Sequence, residues 1–196
     1  MSFDFYHFVR GHLRHYLAWV ALLALPFIVT QKPEMDGVLL IFIGAGLRAY
    51  ASGFLDKEGR LTIAGPFAFV RNPLYLRTFL MAVGVAQSQD AWIALAIVCA
   101  VSLTVLYFVV HAEERVLAKK FPTTFPKYCR EVPRFLPRLT KFSSYHELRN
   151  SAETRAQKFS SALFIKNRGY EALATGVGLT ALLFVVYFAL MKVRLG

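Results

Sequence analysis

Two adjacent carboxylates stand where a long apolar run gives way to a basic segment. Glu113 and Glu114 precede residues 115–168, which hold 13 of the 23 lysines and arginines. Ionised carboxylates only accept hydrogen bonds, so a pair of them suits a ligand with ammonium or hydroxyl donors. The same pair could instead form ion pairs with Lys119 or Lys120 on one helix. The spacing is compatible with either interpretation of the two glutamates, a ligand site or a surface ion pair.

The segment from Gly59 to Tyr75 also carries side chains that suit a ligand. It reads G-R-L-T-I-A-G-P-F-A-F-V-R-N-P-L-Y. Its Gly-Pro and Asn-Pro pairs favour turns, its aromatic residues offer flat apolar surfaces, and Arg71 supplies a cation. An ordinary polar connection between two helices could have the same composition, so both interpretations stay open here.

Motifs of other catalytic and metal sites are missing from the sequence. It contains no P-loop, nucleophile elbow, zinc-protease or dinucleotide-binding motif. His12 and His15 could share a helix face, but no carboxylate accompanies them, and Cys99 and Cys129 form no ligand motif. We therefore expect no metal site.

The elements that position these side chains are predicted to be membrane helices. Apolar residues make up 56% of the chain and charged residues 18%, where a soluble domain has about 25% charged. The net charge is +11, which in other chains often marks nucleic-acid binding. Here the basic residues cluster beside apolar runs, as in cytosolic segments that face anionic lipid. We expect membrane lipids as partners, and no nucleic acid.

Five apolar runs predict an all-α fold, an integral membrane bundle of about five transmembrane helices. The runs cover residues 16–30, 38–55, 74–86, 91–110 and 172–191. The third and fourth should form a hairpin, and four spans remain an alternative because the first and third are short. The basic loops place the N-terminus and the segment 59–75 in the cytosol. We expect a single domain over residues 1–196 with its core at 38–137.

A basic amphipathic helix is predicted at the membrane interface, over about residues 143–166. Ser144 and Glu147 have the spacing of a capping box, and apolar residues then recur at helical intervals between basic flanks. Such a helix sinks its apolar stripe into lipid and keeps its cations at the headgroups.

Taken in order, these segments resemble the isoprenylcysteine carboxyl methyltransferase and phospholipid methyltransferase family of membrane enzymes. That family's pattern runs L-x-x-x-G-P-Y-x-x-x-R-H-P-x-Y, then a hairpin of two spans, then E-E-x-x-L-x-x-x-F-G-x-x-Y-x-x-Y, and closes in V-P-R-F-x-P. The corresponding residues here are Leu61, Gly65-Pro66-Phe67, Arg71-Asn72-Pro73-Leu74-Tyr75, Glu113-Glu114, Leu117, Phe121-Pro122, Phe125, Tyr128 and Val132-Pro133-Arg134-Phe135-Leu136-Pro137.

The resemblance implies an enzyme that binds S-adenosylmethionine on the cytosolic side and admits a lipid-like acceptor from the membrane. The implied cofactor-binding residues are Gly59, Arg60, Leu61, Thr62, Phe67, Arg71, Asn72, Pro73, Leu74, Tyr75, Glu113 and Glu114. Arg134 is implied to orient an anionic acceptor. An amine acceptor must lose a proton, and His111 or a glutamate of the pair is the candidate base. The alternative for His111 is a helix-end histidine at the lipid interface.

The sequence departs from the family pattern at several positions. Asn72 replaces the family's histidine, Arg77 replaces a glycine, and Phe125 replaces a tyrosine. Where prenylcysteine enzymes carry a substrate-binding arginine, this chain has Val109, Val110 and His111. These departures weaken the prenylcysteine assignment and leave a changed or lost activity open.

Two other classes of protein remain compatible with the sequence. Nicotinamide-dependent membrane reductases share a similar C-terminal hairpin, and a non-enzymatic module could use the basic helix to bind anionic lipid or a partner. The acceptor, the oligomeric state and the organelle do not follow from the sequence.

Overall fold

The fold is mostly helical, as predicted. The computed structural model describes residue 29 and residues 31–56, 59–89, 92–155 and 158–195. In chain order the elements are α1 (Met35–Ser52), β1 (Leu61–Thr62), a 3₁₀ helix (Gly65–Ala68), α2 (Pro73–Gln87), α3 (Trp92–Lys120), α4 (Thr124–Glu131), α5 (Tyr145–Arg149), β2 (Thr154–Arg155), α6 (Ser161–Lys166) and α7 (Gly169–Leu195).

Helix α1 packs closely against both α2 and α7. Small residues allow this approach: a Cβ on Gly84 would lie 2.6 Å from the carbonyl oxygen of Gly37, and one on Gly176 would lie 3.0 Å from the Cβ of Ala45. Small residues at such seams let helix backbones come together where lipid supplies no hydrophobic driving force. The buried side chains of Ile41, Met81 and Leu183 then fill the space between the three helices.

Two helices within the described residues are long and apolar enough to cross a membrane, Met35–Ser52 and Gly169–Arg194. They correspond to the second and fifth predicted spans. The third and fourth runs form α2 and α3, joined by a turn at residues 88–89. The first run, 16–30, lies outside the described residues except for Val29, and so do His12 and His15.

Helix α3 extends well beyond the predicted fourth span. It covers 29 residues, or about 43 Å at the usual helical rise, and its last ten residues are 111–120. Because the helix continues past residue 110, Glu113 and Glu114 project from an ordered helical scaffold.

A second core lies beside the membrane helices, around a two-stranded parallel bridge that the sequence did not predict. Leu61 pairs with Thr154 and Thr62 pairs with Arg155. Buried side chains from β1, α4 and α5 and from the segments that adjoin them surround this bridge; they are Leu61, Ile63, Phe121, Phe125, Tyr128, Val132, Phe142 and Leu148.

The predicted continuous helix over residues 143–166 is wrong, since that segment contains α5, β2 and α6. Ser144 does not form a capping box with Glu147; its backbone N–H and hydroxyl donate to Glu131 instead. Further along, the hydroxyl of Thr154 donates to carbonyls of the preceding turn. Such side-chain bonds compete with helical ones, and pairing of β2 with β1 prevails over the periodic apolar pattern.

Candidate functional site

A cluster of one carboxylate and two guanidinium groups joins the two sequence segments that carry chemistry. Glu114 is 9% exposed. Arg134 donates to it from Nε, at 3.2 Å to each oxygen, and from Nη2, at 2.7 Å to Oε2. Nη1 of Arg71 lies 3.5 Å from Oε1. The ion pair of Glu114 is therefore with these two arginines, and the alternative of a pair with Lys119 or Lys120 does not describe it.

The backbone explains how the two arginines reach Glu114. The chain after α4 returns to the loop before α2, where the N–H of Arg71 donates to the carbonyl of Pro133 at 2.9 Å and that of Arg138 donates to Phe69 at 3.0 Å. The side chain of Asn72 adds a bond at 3.3 Å to the carbonyl of Arg134. Asn72 is nearly buried, so its amide holds the closing segment in place.

Glu113 is tied to the start of α2 through a separate bond. The phenol of Tyr75 donates to Oε2 of Glu113 at 2.9 Å. Pro73 occupies the first turn of α2, where its missing N–H costs nothing, and this places Tyr75 next to α3. The two neighbouring glutamates thus face different partners.

Buried polar groups lie beneath the cluster. The phenol of Tyr128 donates to the carbonyl of Phe67 at 2.6 Å. Burial raises the pKa of Tyr128, so the phenol stays a neutral donor at physiological pH. Burial also raises the pKa of the half-buried Cys129, although nearby Arg71 opposes the shift.

The loop from Gly59 to Thr62 is anchored elsewhere. Leu61 and Thr62 are buried while Arg60 is exposed, and the N–H of Leu61 donates to the carbonyl of Glu153 at 2.8 Å. Among the described residues, no hydrogen bond or ion pair joins 59–62 to Glu114. The structure therefore brings together Arg71, Asn72, Tyr75, Glu113, Glu114 and Arg134. It anchors the loop 59–62 to the second core through Leu61.

A glycine shortly after that loop explains the path of the chain. Gly65 has φ +60°, a left-handed conformation that other residues rarely adopt, and a Cβ there would lie 2.6 Å from the ring of Phe54. The turn thus leads directly into the 3₁₀ helix that presents the carbonyl of Phe67.

His111 lies on α3, three residues before Glu114. Its Nδ1 is 2.7 Å from the carbonyl oxygen of Tyr107, and the two rings are 4.1 Å apart between centroids. A carbonyl only accepts, so Nδ1 carries the hydrogen and Nε2 of the neutral ring keeps its lone pair. That geometry is compatible with proton acceptance at Nε2. The described residues contain no group of three or more His, Cys, Asp or Glu side chains placed to hold a metal.

The fold and this cluster define a membrane-associated helical protein with a carboxylate–arginine site at one end of a hairpin. The sequence model of the phospholipid methyltransferase family matches residues 48–124, which run from the second half of α1 to the start of α4. This stretch of the chain is thus similar to that methyltransferase family, in agreement with the resemblance found in the sequence. Arg134 lies beyond the match, and the structure connects it to the matched part through Glu114.

A curated relative extends the comparison to part of a longer protein. The chain is 35% identical over 112 residues to the nickel-cobalt-cadmium resistance protein NccN of Alcaligenes xylosoxydans xylosoxydans. The aligned region covers 56% of this chain and 51% of NccN, so the chain spans about half the length of that relative. No solved structure matches the chain.

Proposed function

We propose that this protein transfers a methyl group from S-adenosylmethionine to a lipid-like or other small hydrophobic acceptor at the cytosolic face of its membrane. The observation that carries the proposal is the meeting of two distant segments, Arg71–Tyr75 and Glu113–Glu114, in one cluster within the family-matched stretch. Prenylcysteine carboxylates and phospholipid amines are the two acceptor types that the resemblance offers.

The donors and acceptors present fit this cofactor. Nε of Arg71 is buried and has no hydrogen-bond partner within the described part of the chain. Its N–H can therefore donate a hydrogen bond to the carboxylate of a bound ligand. Glu113 uses Oε2 for Tyr75 and keeps Oε1 for an ammonium or hydroxyl donor. When bound, the cofactor would supply an electrophilic methyl group.

The chain's own residues would mainly bind and orient. Arg71 and Arg134 hold the carboxylate of Glu114 from two sides, which fixes its direction without a protein rearrangement. Methyl transfer proceeds by in-line displacement, so such positioning can contribute much of the rate.

Proton handling depends on the acceptor. A carboxylate is already a nucleophile, and the site then only needs to hold and desolvate it. An amine must release a proton, and Nε2 of His111 is the candidate acceptor, since Nδ1 is engaged by Tyr107. Arg134 is proposed to guide an anionic acceptor with the third of its side chain that stays exposed.

The non-enzymatic alternative rested on a continuous basic helix over 143–166, and the structure has three short elements there. Ligand-induced thermal stabilisation in detergent separates the enzyme from the reductase class and from the non-enzymatic module, which neither ligand should stabilise. S-adenosylmethionine should raise the melting temperature of the parent, and NADPH should not. Stabilisation by NADPH alone would contradict the proposal.

A matched pair of variants makes this test specific to the site. Glu114→Gln should lose most of the stabilisation by S-adenosylmethionine. Glu147→Gln removes a carboxylate from an exposed ion pair with Lys127 and should respond like the parent. Equal responses from the two variants would remove Glu114 from the cofactor site.

A further inference from the structure

Arg77 lies on α2 at the seam with α1. The register of the two helices is set by close contacts: a Cβ on Gly44 would lie 3.0 Å from the carbonyl oxygen of Arg77 and 2.8 Å from Cγ of Met81. Arg48 follows Gly44 by one turn of α1, and because the helices run antiparallel it reaches the level of the first turns of α2. Two arginines therefore lie near each other on packed helices.

Within the described part of the chain, the surroundings of Arg77 do not neutralise its charge. The side chain is partly buried, its Nε donates to the thioether sulfur of Met81 at 3.3 Å, and Arg48 is close enough to repel it. No carboxylate of the described residues forms an ion pair with Arg77. A thioether is a weak acceptor, and a cation in an apolar helix is costly unless it has an anionic or polar partner.

This arginine is separate from the cofactor cluster. Tyr75, two residues earlier, points toward α3 and bonds to Glu113. Two residues correspond to about 200° around a helix, so Arg77 and Tyr75 lie on nearly opposite faces of α2. Arg77 is also only about 6 Å along the helix from Pro73, within reach of a lipid headgroup.

We propose that Arg77 forms an oxyanion-binding site at the α1–α2 seam for the phosphate or carboxylate of an anionic amphiphile. The planar guanidinium presents two parallel N–H donors that match these groups. The apolar surfaces of α1 and α2 would contact the acyl or isoprenoid part of the same molecule. The site does not depend on methyl transfer, and it can exist whether or not the enzyme proposal holds.

Lipid binding to the purified full-length protein in detergent tests this site. The probes are phosphatidylglycerol, phosphatidylcholine and sodium phosphate, each titrated while the melting temperature or the lipid-bound fraction by native mass spectrometry is measured. The parent should bind phosphatidylglycerol in preference to phosphatidylcholine. Competition by phosphate would identify a general oxyanion site. Binding of phosphatidylglycerol without competition by phosphate would identify the lipid headgroup as the ligand. Both outcomes support the site.

Three variants show whether Arg77 is responsible. Arg77→Gln should weaken phosphatidylglycerol binding by about ten- to hundredfold, as loss of a charged hydrogen bond predicts. Arg77→Lys should retain an intermediate affinity, which keeps the test decisive if the glutamine variant does not fold. Arg130→Gln removes one exposed cation elsewhere and should bind like the parent.

Two results would overturn this proposal. One is equal binding of phosphatidylglycerol and phosphatidylcholine by the parent, and the other is unchanged phosphatidylglycerol binding in both Arg77 variants. S-adenosylmethionine affinity is measured in the same proteins and should not change on substitution of Arg77, so a failure of the anion site is distinguishable from a failure of the cofactor site.

Discussion

Nη2 of Arg134 lies 2.7 Å from Oε2 of Glu114, although the two residues are 20 positions apart and α4 lies between them. The bond to Glu114 raises the pKa of Arg134, so the guanidinium stays charged throughout the physiological range. This contact makes the segment after α4 part of the candidate site, even though the family match ends at residue 124.

Loss of the hydrogen bond between Tyr75 and Glu113 should lower the affinity for the cofactor modestly. Tyr75→Phe removes the phenol hydrogen bond at 2.9 Å and keeps the ring. S-adenosylmethionine affinity should fall by about two- to tenfold, less than the full value of a hydrogen bond to a charged group, because Tyr75 acts on the cofactor only by orienting Glu113. Isothermal titration measures it. Tyr145→Phe, in α5, is the control and should bind like the parent. A parental affinity in Tyr75→Phe would mean that Glu113 needs no orienting partner.

Replacement of Asn72 with histidine should add a pH dependence to the affinity for S-adenosylmethionine. Asn72→His introduces a group that titrates near neutral pH, and its protonated form attracts the cofactor carboxylate. Affinity for S-adenosylmethionine should therefore rise as pH falls from about 8 to 5 in this variant beyond any change in the parent. Superimposable profiles for the two proteins would contradict the placement of Asn72 at the cofactor.

Asn72→Ala separates cofactor binding from support of the closing segment. It removes the bond to the carbonyl of Arg134 and should weaken cofactor binding at every pH. If only the melting temperature falls while affinity stays parental, Asn72 acts on the fold alone.

Glu153 predicts a pH-dependent contribution to stability. Hydrogen bonds from the hydroxyls of Thr123 and Thr124 lower the pKa of Glu153. A lowered folded-state pKa means that the stabilisation is present above the ordinary value and is lost as pH falls through the folded value. Glu153→Gln should therefore have a lower melting temperature than the parent at pH 7. The difference between the two melting temperatures should narrow in acid, below about pH 4.5.

The matched control for Glu153 is Glu34→Gln, since Glu34 is exposed and makes no side-chain capping bond at the start of α1. Its melting curve should follow that of the parent at both pH values. A constant difference in melting temperature between Glu153→Gln and the parent across the pH range would show that the charge of the carboxylate does not contribute to stability.

The hairpin predicts that its two ends face opposite sides of the membrane. Lys32 precedes α1 on the same end as the α2–α3 turn, since the N–H of Glu34 donates to Ser88, and Lys141 lies beyond α4; both are exposed. In a background without Cys99 and Cys129, single cysteines at Lys32 and Lys141 should react with an impermeant reagent from opposite faces. Reaction from one face for both would contradict the topology.

The sequence predicted α1, α3 and α7 because long apolar runs between polar turns leave few other structures, and the shorter run 74–86 predicted α2. Glu113 and Glu114 were identified by type and position, but their partners were not. Arg134 follows a proline-rich segment whose return to Arg71 depends on backbone bonds between distant residues, and such pairing leaves no periodic signal. The prediction of one helix over residues 143–166 was wrong for the same reason, because Glu131 and β1 bind polar groups of this segment.

The most direct test of the proposed methyltransferase activity is methyl transfer in membranes. Membranes containing the full-length protein are incubated with S-adenosylmethionine that carries a labelled methyl group, and the lipid extract is analysed for the label. We expect labelled lipid-soluble product with the parent and with Glu147→Gln, and little or none with Glu114→Gln. Equal labelling in membranes with the parent and in membranes lacking the protein would contradict it.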